Sequence, residues 1–147
     1  MISKLFDRLR RSKEPLREIV DPVLGLCVPD QAERWWRASV TLDGRQIAFL
    51  FGGDFEPDPA LLAHARDIVG EFDAFERRVT EFLRQEAAGI DDPYARAEIE
   101  GLQIDEVCLF WPRRPNDGMI YFTGPSDDRL WRCDYVDRAC RDLGFDT

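Results

Sequence analysis

Between Asp58 and Ala88 the apolar positions fall at Leu61, Ala65, Ile68, Phe72, Phe75, Val79 and Phe82. The steps alternate between four and three residues, which marks one face of an α-helix. Leu62, Val69 and Leu83 widen the stripe to a face that covers a sheet rather than a narrow coiled-coil seam. Asp58 suits the N-cap, Pro59 the first helical position and Gly89 the C-terminal cap. Unbroken, about 30 residues would run roughly 45 Å. That length is expected to end in a break near Gly70 or an overhang beyond the sheet.

Period-two patterns surround this helix. Trp36, Ala38, Val40 and Leu42 alternate with Arg37, Ser39 and Thr41, and Asp43-Gly44 is a strong type I′ turn signal. Closing that turn pairs Leu42 with Arg45, Val40 with Ile47, Ala38 with Phe49 and Trp36 with Phe51, so the apolar residues share one face. The other face is expected to be wet, with Leu50 as its exception. Earlier, residues 16–20 and 24–28 are short strand candidates separated by Asp21-Pro22. After the long helix, Asp91-Asp92-Pro93 starts a short one that Gly101 ends. Ile104 to Trp111 and Gly118 to Thr123 are apolar on both faces, which suits central strands. Trp131, Cys133 and Tyr135 alternate with Arg132 and Asp134, and residues 137–143 are expected to form a loop or one helical turn. Ile2, Leu5, Phe6 and Leu9 make residues 2–12 a short amphipathic helix with a mostly basic far face.

The expected fold class is α+β: an antiparallel β-sheet packed against one long amphipathic helix, with short N-terminal and middle helices. Residues 1–14 are expected to form the basic amphipathic N-terminal helix, and residues 15–147 a single α+β domain. The 147 residues, 44% hydrophobic and 12% aromatic, suit a globular chain.

Charge sharpens this picture. The net charge is −9, but residues 1–17 carry six basic side chains against two acidic ones, a local +4. The remainder therefore carries −13. An acidic body argues against broad nucleic-acid binding and fits a basic protein partner. No apolar run approaches the roughly 20 residues of a membrane span, and the charged N-terminus lacks a secretory pattern. A cytoplasmic protein with four free cysteines is expected. None of Cys27, Cys108, Cys133 and Cys140 forms a CxxC pair, so no metal or other cofactor is indicated. Cys27, Cys108 and Cys133 fit core positions, and only Cys140 an accessible one.

Three constellations compete for function. Trp111, Arg113, Arg129, Trp131, Arg132, Asp134 and Tyr135 gather the residue types enriched in protein interfaces. The loop with Asp54, Glu56 and Asp58, together with His64, is the alternative: a hard-cation or hydrolytic site. Against it, the acids suit a helix start and His64, off the main stripe, suits a solvated position. Residues 2–12 offer a third role, a peripheral membrane or partner anchor. The four-three spacing also admits pairing of the long helix with a second copy in a homodimer.

Asp21-Pro22-Val23-Leu24-Gly25, then Trp35-Trp36, then a strand ending in a Gly-Asp loop before a long helix form one layout. Ile120-Tyr121-Phe122 and Arg132-Cys133-Asp134-Tyr135 complete it. Over most of residues 18–147 it resembles small bacterial α+β domains of unknown function, some of them suspected immunity or interaction proteins of toxin systems. The terminal Phe-x-Gly-His pattern of one such group is absent. The resemblance implies no catalytic residues and favours a non-enzymatic, protein-binding role.

Overall fold

A computed structural model describes residues 14–126 and 128–146. The amphipathic segment 2–12 lies outside them. Eight strands form one sheet whose spatial order is the chain order. They are β1 (Ile19–Asp21), β2 (Gly25–Asp30), β3 (Trp35–Leu42), β4 (Arg45–Gly52), β5 (Gln103–Leu109), β6 (Gly118–Thr123), β7 (Leu130–Val136) and β8 (Ala139–Asp146). Between β4 and β5 run three helices, α1 (Pro59–Gly70), α2 (Phe72–Ala88) and α3 (Pro93–Glu100).

The β3–β4 hairpin has the register its turn implies, with Val40 opposite Ile47 and Ala38 opposite Phe49. Asp43 and Gly44 both hold positive φ, at 51° and 75°. These are the two left-handed positions that a type I′ turn demands.

Three expectations are overturned. The sheet is mixed rather than antiparallel, because β4 and β5 pair in parallel, with Phe49 opposite Val107. Parallel neighbours need a crossover, and the three helices supply it. Next, there is no single long helix. Glu71 (φ −122°, ψ 36°) leaves the helical region and divides Asp58–Ala88 into α1 and α2. A straight rod of about 44 Å would overrun strands of about 26 Å. Gly70 and Glu71 absorb the mismatch at the position where helix propensity is lowest. Finally, residues 139–146 form β8 rather than a loop or helical turn. The turn before β8 places two consecutive non-glycine residues, Asp137 and Arg138, at positive φ. Asp137 N–H donates to Asp117 and the Arg138 guanidinium to Asn116, and these bonds hold that conformation. The short middle helix is present, with Asp92 accepting from Tyr94 N–H as its cap.

All three helices bury their apolar residues against one face of the sheet. Trp36, Phe49, Phe51, Phe75, Phe122, Leu61, Leu109 and Ile120 form the centre of that core. Polar ties fasten its margins. The buried Asp21 accepts from the amides of Val23 and Leu24 and from the Arg66 guanidinium of α1. Arg66 and these amides hold the Asp21 carboxyl below its usual range, against the opposing effect of burial. Arg45 of β4 pairs with Glu76 of α2, and Arg129 with Glu98 of α3.

Phe49→Ala is expected to cost about 3–5 kcal/mol, because it empties the middle of this core. By contrast, a methyl group added at Gly70 meets nothing within 4 Å. Gly70→Ala should therefore stabilise the fold by roughly 0.5 kcal/mol. Urea denaturation of the two variants checks both signs.

Candidate functional site

The seven residues expected to share a recognition surface occupy four places. Trp131 and Tyr135 point into the helix-covered core and are 6% and 2% exposed. Trp131 Nε1 donates to Glu98 at 2.9 Å, and Arg129 reaches the same carboxylate at 2.8 Å. Arg132 and Asp134 lie on the opposite face, where Arg132 bonds Asp146 and Asp134 stands opposite Arg141. Trp111 and Arg113 sit on the β5–β6 loop, where Arg114 lies 4.7 Å above the Trp111 ring. Period-two alternation explains the division: residues 131, 133 and 135 face one way, and 132 and 134 the other.

Asp54 and Glu56 are exposed, while Asp58 accepts from Ala60 and Leu61 N–H as the cap of α1. His64 is buried rather than solvated, and its ring partners lie away from that loop. Nδ1 bonds the Pro115 carbonyl, and Nε2 lies 3.2 Å from the Tyr135 hydroxyl. A carbonyl only accepts, so Nδ1 carries the proton and Nε2 accepts from Tyr135. The neutral ring is thus satisfied at both nitrogens. No group of three His, Cys, Asp or Glu side chains gathers as a metal site among the described residues.

Tracing the ladder across the open face gives a continuous row: Val28, Arg37, Leu50, Cys108, Met119, Asp134 and Arg141. Around it Ala48, Leu50 and Cys108 form a second apolar cluster, flanked by Trp35, Phe110, Met119 and Tyr121. Trp35 and Phe110 stack at 4.9 Å. Toward the β1 edge the same face shows Val20, Leu26 and Val28, which are 79%, 51% and 42% exposed. Two ion pairs cross this apolar band, Arg37–Glu106 and Arg132–Asp146. Among the described residues no helix packs over this face. Apart from Arg132 and Asp134 these residues lay outside the set expected from the sequence, although two signals marked them. Leu50 broke the polar side of its hairpin, and β5 and β6 were apolar on both sides.

A second feature is a groove of about 460 Å³ on the helix side, between α2 and β8. Phe75, Phe82 and Tyr135 line it, with Arg78, Arg138 and Cys140 at its polar positions.

Burial pushes the His64 pKa down, and the Arg138 charge adds to this, against the Pro115 hydrogen bond and Asp67. Arg78 and Glu71 are the other charged groups around the His64–Tyr135 pair. A histidine held neutral in the fold but free to protonate when unfolded, with a pKa of about 6.5, favours the unfolded chain as pH falls. Its stabilising contribution is therefore complete above that pH. It declines below it until pH reaches the folded value, by at most about 1.4 kcal/mol per pH unit. His64 is the sole histidine of the chain. Urea midpoints at pH 7.5 and 5.5 should differ in the parent protein, and the difference should shrink in His64→Gln.

Comparisons with protein-family models, with curated proteins and with solved structures find no match to this chain.

Proposed function

We propose that this chain is a non-enzymatic protein-binding domain that uses the open face of its sheet. The partner is a basic protein with an apolar contact patch. The observation that carries the reading is the exposed apolar group Val20, Leu26 and Val28 beside a second, buried apolar cluster, on the face that no described helix covers. A one-sided domain has no need of Trp35, Leu50, Phe110 and Met119 there, nor of exposed Val20, Leu26 and Val28 beside them. Apolar patches rimmed by charge mark interaction surfaces. Strongly apolar centres with aromatic residues are also where interface energy concentrates. The acidic body supplies the sign of the partner, because long-range attraction steers an oppositely charged protein to the surface. The resemblance to immunity- or interaction-type domains points the same way.

The test is affinity capture at low and high salt with the parent protein and with Leu26→Asp/Val28→Asp, alongside sizing of each. Both positions are exposed, so the double variant should fold. One basic protein should be retained at low salt, weakened by high salt, and lost in the double variant. Capture that the double variant leaves unchanged would overturn the reading, and so would absence of a specific partner at either salt. A dimer of the parent protein that the variant dissociates would assign the face to a second copy instead.

A further inference from the structure

The helix side of β7 and β8 holds a pair of thiols with no part in the binding face. Cys133 is fully buried, and Cys140 is partly exposed and opens on the groove between α2 and β8. Cys140 stands opposite Tyr135, so Cys133 is its diagonal neighbour on the same face of the sheet. The register slips between Arg132 and Asp134, next to Cys133. Both side chains belong to the helix-covered face, one diagonal step apart across β7 and β8.

We propose that Cys133 and Cys140 form an oxidation site. In it hydrogen peroxide entering the groove converts the two thiols into a cross-strand disulfide.

Geometry assigns the roles. Cys140 meets solvent and therefore reacts first; Cys133, behind it, resolves. The Cys140 thiolate attacks one peroxide oxygen. An S–O bond forms, the O–O bond breaks, and the leaving oxygen departs as water after taking up a proton. Cys140 is then a sulfenic acid. Cys133 sulfur attacks the Cys140 sulfur, an S–S bond forms, and the S–O bond breaks. The hydroxyl leaves with the Cys133 proton as a second water. Two thiols are oxidised, one peroxide is reduced, and the atoms balance.

The surroundings favour this order. The neighbouring Cys133 thiol holds Cys140 below the usual thiol range, and the Arg78 charge reinforces it against burial. Cys133 is held well above that range by the same contact and by burial, so it stays a thiol until Cys140 has reacted. The other two cysteines lack this setting. Cys27 is pushed up to about 11 by burial and by Asp21. Cys108 is buried beside Glu106, which raises it further. Thiolate character and access together select the oxidised cysteine. Diagonal cross-strand neighbours sit roughly 7–8 Å apart, so closing the bridge requires the backbone to move. The irregular ladder beside Cys133 is a place that can supply that movement.

The experiment uses the full chain with hydrogen peroxide, with intact mass and peptide mapping over time. The parent protein should lose two hydrogen atoms and yield a Cys133–Cys140 linked peptide. Cys27 and Cys108 should react at least about tenfold more slowly while the fold is intact. In Cys133→Ala, Cys140 should accumulate as a sulfenic acid that dimedone traps; in Cys140→Ser, neither product should form. Reaction of all four thiols at similar rates would overturn the proposal. So would a Cys140 sulfenic acid that persists in the parent protein without bridging.

Discussion

Two parallel strands at the middle of a sheet cannot be joined by a tight turn, because the chain must return to its starting end before pairing again. That constraint acts between β4 and β5. It sets a four-stranded antiparallel meander on either side of a parallel seam, with the three helices of the described residues in one connection. Because α1, α2 and α3 belong to a single crossover, they all cover the same face. Phe49, Phe51, Val107 and Leu109 lie at the seam and are fully buried beneath them. The break at Glu71 follows from the same geometry, since the connection must match the length of the strands it crosses.

Among the described residues the helices cover one face and leave the other open, and the chemistry of the two differs. On the helix side large aromatics interlock, and polar side chains act as fasteners at the margin: Asp21 with Arg66, Glu98 with Trp131 and Arg129, His64 with Tyr135. These contacts fix where the elements sit at the margin, while the burial of apolar area carries the fold. On the open side the same strands present an apolar band crossed by two ion pairs. Strand β7 shows the separation within seven residues. Its odd-numbered positions carry the buried tryptophan, cysteine and tyrosine, while its even-numbered ones carry arginine and aspartate on the proposed binding face. Cys133 and the binding-face residues Arg132 and Asp134 therefore share one strand but look in opposite directions.

Local chemistry determined a good deal from the sequence alone: the β3–β4 hairpin with its register, the caps of α1 and α3, the apolar stripe of the helices, and the burial of Cys27, Cys108 and Cys133. Each depends on residues close in the chain or on a period set by backbone geometry. The two-faced apolarity of β5 and β6, with Leu50 out of pattern, also announced a second apolar surface without saying where it lay. What only the tertiary structure decided depends on neighbours distant in sequence. The direction of β5 beside β4 is a property of the pair, so a mixed sheet and an antiparallel one share the same alternation. Helix length was limited by the sheet beneath it, which no periodicity reports. His64 lay off the main stripe, yet the Pro115 carbonyl and the Tyr135 hydroxyl, 51 and 71 residues away, closed over it. Trp131 and Arg132 are adjacent in the chain and separated by the thickness of the sheet. Composition could place them on one recognition surface, but only the pleat, fixed by pairing with β6 and β8, assigned them to opposite sides.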